Sequence, residues 1–272
     1  MLPGRYIVGP MYKISIAVAL LVLFWQDCHA QGSSAQPTFE VASVKPCPPD
    51  TPEPPGEHDG TLQLTFPGGR FEADATTVEY LMEWAYDIQR PQHSADPSWI
   101  GADRFQIVAK AGGNASEDQL KQMARMLLAD RFHLKVHHEP RELNAYVMSL
   151  GKTPPKLSPP HDGESCAIHI VPQRIANQTT PIFHIVATRY SLSRLAATFV
   201  RHMGTGTALV NQTGLDGDFD FGLDLTTDDS HPNPLDPGVL LAGLRDLGFT
   251  VKAQKTVVDF LVIDSLERPS GN

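Results

Sequence analysis

Thr76-Thr77-Val78-Glu79-Tyr80-Leu81-Met82-Glu83-Trp84-Ala85 is the stretch from which the architecture opens. Thr76, with Glu79 three residues on, has the form of a capping box, and Val78, Leu81, Met82 and Ala85 follow at helical spacing. Laying Ala73 on Ala187 puts Thr77 on Ser191, Val78 on Leu192 and Leu81 on Leu195. Without a gap, Phe105 then meets Phe219 and Ile107 meets Phe221. With small gaps, Phe132-His133-Leu134-Lys135 falls on Phe249-Thr250-Val251-Lys252, and Val147-Met148-Ser149-Leu150 on Ile263-Asp264-Ser265-Leu266. Each half reads strand, helix, strand, helix and a closing pair of strands. Any two α+β stretches can be aligned loosely, but here cap and strand phases agree over roughly 80 residues, which favours an internal duplication.

Three further helices stand out. Ser116-Glu117-Asp118-Gln119 is a second capping box, followed by Leu120, Met123, Ala124, Leu127 and Leu128 on one face. Ser191 caps the next, striped by Leu192, Leu195, Ala196, Phe199 and Val200. Asp236-Pro237 opens the last, with Leu240, Leu244 and Leu247 inside and Gly248 as its stop. Strand alternation is clear in Phe105, Ile107 and Ala109, in Phe219, Phe221, Leu223 and Leu225, and in Phe132, Leu134 and Val136. One buried and one wet face is the mark of an antiparallel sheet. Tyr146-Val147-Met148 and Phe260-Leu261-Val262-Ile263 lack the alternation and read as central strands. The fold class expected is α+β, with mostly antiparallel sheets and helices packed on one face.

The N-terminus sets the compartment. Arg5 and Lys13 precede the apolar run Ile14 to Trp25, which suits a signal h-region of about 7–15 residues and is short of the ~20 that a spanning helix needs. Cleavage after Ala30 is expected, an uncleaved anchor being the competing reading, so no stable membrane span should remain after cleavage. The boundaries read as 1–30 signal peptide, 31–60 N-terminal strand and Pro-rich loop, 61–152 first half, 153–176 Pro-rich linker and 177–272 second half. The formal net charge of −9 gives no electrostatic footprint for nucleic acid. Two cysteines remain beyond the leader, Cys47 and Cys166, and outside the cytoplasm they are expected to pair, adding about 3–5 kcal/mol. The alternative is two unpaired thiols.

Phe39-Glu40-Val41-Ala42-Ser43-Val44-Lys45-Pro46, Trp99-Ile100-Gly101-Ala102-Asp103-Arg104-Phe105 and Leu127-Leu128-Ala129-Asp130-Arg131-Phe132-His133 resemble signatures of one family. Thr213-Gly214-Leu215-Asp216-Gly217-Asp218-Phe219 and the ending Val262-Ile263-Asp264-Ser265-Leu266-Glu267-Arg268-Pro269 fit it too. It is the soil-associated exported protein family abundant in Acidobacteria, which carries a domain of unknown function. The resemblance spans nearly the whole mature chain and brings no catalytic residues with it. In some members a similar region is appended to membrane metallopeptidases of the antibiotic-sensing type, which implies extracytoplasmic sensing or binding by analogy.

No catalytic constellation is legible. His133, Lys135, His137, His138 and Glu139 are dense in possible ligands, yet on a strand His133 and His137 stand two pleats apart, too far for one zinc. Asp216, Asp218 and Asp220 alternate, but Phe221 and Thr227 occupy positions where a calcium loop needs Gly and Glu. Ser149-Leu150-Gly151-Lys152 ends a strand rather than starting a helix, so it does not suit penicillin-type chemistry. Asn114, Asn177 and Asn211 head sequons read as incidental. No cofactor and no metal is expected.

What remains for binding is a pair of loops. Loop 88–103, with Trp99 and the adjoining Arg104, holds the slot that loop 204–217, with Asn211, Asp216 and then Asp218, holds in the other half. Loops held by a rigid frame are where binding concentrates, although Trp99 capping the core and glycines making turns is the plainer account. The reading is an exported, non-catalytic binding or sensing module, periplasmic or extracellular, for an envelope protein or a small ligand. A structural envelope role and an envelope hydrolase are the alternatives.

Overall fold

The computed structural model describes residues 37–48, 50–51, 64–65, 70–94, 96–161, 166–173, 182–204, 206–228 and 230–269. The leader, most of the first Pro-rich stretch and the sequon at Asn177 lie outside the described residues. Among the described residues, no helix is long and apolar enough to cross a membrane.

The first half runs β1 (Val41–Pro46), β2 (Leu64–Thr65), β3 (Arg70–Thr77), α1 (Val78–Tyr86), β4 (Arg104–Lys110), α2 (Glu117–Arg131) and β5 (Lys135–Leu150). The second runs β6 (Ala167–Gln173), β7 (Ile182–Ser191), α3 (Leu192–Met203), β8 (Ala208–Asn211), β9 (Asp218–Thr226), α4 (Pro237–Asp246) and β10 (Phe249–Ser265). The fold is α+β, with sheets ordered β1-β4-β3-β2, β6-β7-β9 and β10-β5-β8. All strand pairs are antiparallel except β5 with β8.

The halves repeat each other down to the strand register. Ala73 pairs with Ile107, Thr76 with Phe105 and Thr77 with Arg104. Ala187 pairs with Phe221, Tyr190 with Phe219 and Ser191 with Asp218. Both hairpins carry a bulge just before the helix, and in each a non-glycine residue takes the left-handed conformation, Ala75 at φ 50 and Arg189 at φ 48. Such a conformation is strained for a residue with a Cβ, so its recurrence at one aligned position reflects a shared backbone solution.

Helix starts follow the sequence with one shift. Ser116 forms its capping box with Gln119, and the Ser191 hydroxyl accepts from Arg194 N–H. Asp236 accepts from Gly238 N–H ahead of Pro237. In α1, however, the cap is Thr77, whose hydroxyl accepts from Tyr80 N–H, and not Thr76. Glu79 is thereby released from capping.

Two cores result. In the first, Leu81, Met82, Leu128 and Phe132 pack against Phe71, Phe105 and Ile107. In the second, Leu195, Phe199, Leu240 and Leu244 pack against Ile185, Phe221 and Leu223. Strands β5 and β10 form a ribbon that joins them, paired from Leu150 with Phe249 to Val136 with Ile263. Met148 of β5 lies in the second core and Leu261 of β10 in the first, so each half sends its closing strand into the other's interior.

Several expectations change on the backbone. Phe132 caps α2 and His133 turns at φ 51, so the strand begins only at Lys135 and the Phe132-Leu134-Val136 alternation is a helix exit. Tyr146-Val147-Met148 is central, whereas Phe260 to Ile263 lies in an edge strand whose outer side meets a lone parallel bridge from His93. Strand β6 falls within the stretch read as linker; its Pro172 is tolerated because β6 is an edge strand. Cys47 and Cys166 are free thiols. Cys47 follows β1 on the first sheet, and Cys166 precedes β6 beside Arg194, so the expected disulfide is not formed.

Candidate functional site

Helix α1 buries Val78, Leu81, Met82 and Ala85 in the first core, and it also buries two acids one turn apart, Glu79 and Glu83. Residues four apart share a helix face, so both carboxylates emerge together. They meet His93, which the single bridge to Leu261 holds against β10. The His93 side chain is fully buried and those of Glu79 and Glu83 are 10% exposed. The ligand-type atoms of the three all lie within 4.8 Å of one another.

The geometry is directional. His93 Nδ1 lies 3.0 Å from the Ser94 carbonyl, which turns Nε2 toward the acids, 3.5 Å from Glu83 Oε1 and 3.9 Å from Glu79 Oε1. A guanidinium meets each carboxylate, Glu83 on the oxygen turned away from His93 and Glu79 on the oxygen that faces it. Arg201 Nη2 of α3 lies 3.1 Å from Glu83 Oε2, and the largely exposed Arg90 Nε lies 3.4 Å from Glu79 Oε1. Gly101 closes one wall: a Cβ there would stand 2.6 Å from Glu79 Oε2, so the carboxylate can lie against that turn only because the residue is glycine.

Electrostatics follow from burial and from the partners. Burial opposes protonation of His93, but the Glu83 hydrogen bond, the Ser94 carbonyl and the charges of Glu83 and Glu79 outweigh it, and its pKa is raised. Tyr80 stacks beneath Arg201, 3.8 Å from the guanidinium carbon to the ring centroid, and burial pushes its phenol up to about 12. Arg201 Nε is buried without a hydrogen-bond partner. The cluster is therefore a charged network at the edge of an apolar core, a costly arrangement to bury.

The repeat supplies a control for that network. In the second half, the positions aligned with Glu79, Glu83 and His93 hold Ser193, Ala197 and Thr207. The same helix start, bulge and following strand form there with none of the three titratable groups. The local turn forms without them, although Glu83 also ties α1 to Arg201 of the second half.

The residues expected to bind are scattered. Trp99 packs on the first core, edge-on to Phe105 at 6.4 Å and beneath Arg268. Arg104 opens β4 opposite Thr77. Asn211 ends β8, a strand inside the stretch read as loop 204–217, opposite Met148, and its Oδ1 accepts from Thr213 N–H and hydroxyl. Asp216 lies between β8 and β9, and Asp218 opens β9 opposite Ser191. The two loops do meet, through Gln89, whose side chain donates to Leu209 O at 2.8 Å and accepts from Leu209 N–H at 2.9 Å. His137 reaches Asp264 at 2.9 Å and His138 reaches Asp259 at 2.8 Å, both exposed on the β5–β10 ribbon. In the sequence Glu79 reads as part of a capping box, and neither Glu83 nor His93 carries a motif of its own. The available signal was the contrast between the aligned halves.

A family model described as "Protein of unknown function (DUF3738)" matches residues 79–266. No curated protein and no solved structure matches.

Proposed function

Taking as premise that the chain belongs to the DUF3738 family, we propose that it is an exported, non-catalytic binding or sensing module whose ligand seat is the Glu79–Glu83–His93 pocket. One observation carries the reading: these groups are buried in one half, while the equivalent places in the other hold Ser193, Ala197 and Thr207. Buried ion pairs are weak stabilisers, and apolar or neutral replacements are often neutral to about 1–4 kcal/mol stabilising. The Glu83–Arg201 pair ties the two halves, but the Glu79 and His93 side chains make no such link, and their burial beside Glu83 is what a ligand seat would account for. Export is supported by the leader-like run Ile14 to Trp25 and by the resemblance to an exported family. The partner is an envelope protein or a small ligand.

The test transplants the second half's residues into the first, as Glu79→Ser, Glu83→Ala and His93→Thr together. Because Glu83→Ala leaves Arg201 unpaired, the variant carries Arg201→Met as well, and with the whole ion pair removed it should melt within a few degrees of the parent or above it. In intact cells, cross-linking should recover the parent with an envelope partner or a retained small molecule, and the variant without either. Equal capture by both proteins would remove the pocket from the function. Self-cross-links alone would favour the structural role.

A further inference from the structure

We propose that Glu79, Glu83 and His93 are the protein ligands of a divalent first-row transition ion, of the kind represented by zinc. The inference rests on the binding reading above and names the chemistry of that seat.

The argument starts from the imidazole. Its Nδ1 faces a carbonyl oxygen at 3.0 Å, and a carbonyl can only accept, so Nδ1 carries hydrogen. Nε2 then points at two carboxylates, 3.5 Å from Glu83 Oε1, the outer limit of a hydrogen bond, and 3.9 Å from Glu79 Oε1. A lone pair cannot face two anions unopposed in a buried site. Either a proton or a metal cation must stand between them. A metal-bound histidine shows this same arrangement, one ring nitrogen giving its hydrogen to a backbone carbonyl while the other binds the ion.

The dimensions favour the ion. Donors around tetrahedral zinc stand about 3.3 Å apart, given bonds of about 2.0–2.1 Å. The three donors here lie within 4.8 Å of one another, so small rotations of the two glutamates close the site. Arg201 binds the outer Glu83 oxygen, Oε2, leaving Oε1 directed inward. Gly101 seats the Glu79 carboxylate against a fixed wall.

The donor set selects the class. One imidazole with two carboxylates suits zinc, iron, manganese, cobalt or nickel in the divalent state. Calcium and magnesium prefer all-oxygen shells, and copper(I) prefers sulfur, which the cluster lacks. Three protein donors leave at least one coordination place for water or for a donor atom of the module's own ligand. Sensing would then pass through the ion.

The experiment is equilibrium titration of the purified, chelator-stripped protein with Zn2+, and with Co2+ followed by its visible absorption. The parent should take up one ion at the pocket. Glu83→Gln and His93→Gln should each weaken that binding by ~100-fold or more, because even an outer-sphere partner contributes about 10–100-fold. His137→Gln with His138→Gln should leave it unchanged, these being exposed histidines beside carboxylates that serve as a control for adventitious zinc. Glu79→Gln, nearly the same shape as the parent, supplies the same answer should His93→Gln fail to fold. No stoichiometric uptake, or uptake that follows His137 and His138, overturns the metal. If zinc fails while in-cell capture still depends on the pocket, the binding reading survives and the ion does not. If zinc binds there while capture ignores the pocket, the ion is structural and the binding reading falls.

Discussion

Asp220 ties three segments together with one carboxylate. Its Oδ1 accepts from Arg189 N–H at 2.8 Å, fixing the left-handed bulge, and its Oδ2 accepts from His161 N–H at 2.9 Å. The His161 ring contacts Oδ2 as well, and the Ser158–Asp220 bridge lays the Pro-rich segment along β9. The Arg189 amide first, and then His161, hold this carboxyl below the ordinary aspartate range. A depressed acid contributes stability above its unfolded-state pKa of about 3.9, and that contribution is lost as pH falls through the lower folded value. Asp220→Asn should therefore lower the Tm at neutral pH, and the gap from the parent should narrow below about pH 4. A gap that stays constant down to pH 2 would show that the carboxylate's charge is irrelevant. In the sequence Asp220 was only the third member of an alternating acidic run. Its role was illegible because it depends on a bulge and a distant Pro-rich segment. The same limit applies to His93, whose buried ring position depends on bonds that Gln92, His93 and Ser94 make to the distant strand β10.

At the level of elements, the capped strand-to-helix turn is the unit that was legible and that repeats. Thr77 and Ser191 each accept the amide three residues on, at 3.2 Å in both cases. A cap replaced by alanine typically loses about 1 kcal/mol, within about 0.5–2. Thr77→Ala and Ser191→Ala should each lower the urea-unfolding free energy by about that amount, and the double variant by nearly the sum, since distant sites add. A strongly unequal pair would mean that the two turns, though alike in register, are held differently by their surroundings. The stripes and caps identified the four α-helices of the described residues, because local hydrogen bonding and a 3.6-residue period decide them. The short 3-10 turns Arg90–Gln92 and Ser98–Gly101, by contrast, lie in the stretch read as loop. Strand β6 and the late start of β5 were missed for the opposite reason. Pro172 is tolerated only at an edge, and His133 leaves the helix through a left-handed turn, and neither is decided by its neighbours in sequence.

For the whole molecule, the ribbon decides whether two cores make two folding units or one. Met148 belongs in sequence to the first half and in space to the second core, and Leu261 makes the reverse crossing. Removing either half therefore strips a strand from the core that remains. Links across the same seam add to this: Arg201 to Glu83, Arg194 to Glu117 and the Gln89 side chain to Leu209. The alignment of the halves alone did not say whether they share a core, because aligned strands fit side-by-side halves and exchanged strands equally well. Exchange predicts one cooperative unfolding transition. Trp84 and Trp99 both pack on the first core, so their fluorescence reports on that core, while far-UV circular dichroism reports on both. In urea the two signals should share a midpoint, and residues 37–161 or 162–272 expressed alone should show no cooperative transition. Mixing the two fragments should restore it, because the ribbon's backbone pairs and both cores can form only when each supplies its strand. Two separated midpoints, or a first-half fragment that melts cooperatively alone, would make the crossing strands an attachment between independent domains, and the Glu79–Glu83–His93 pocket would then belong to a half able to stand by itself.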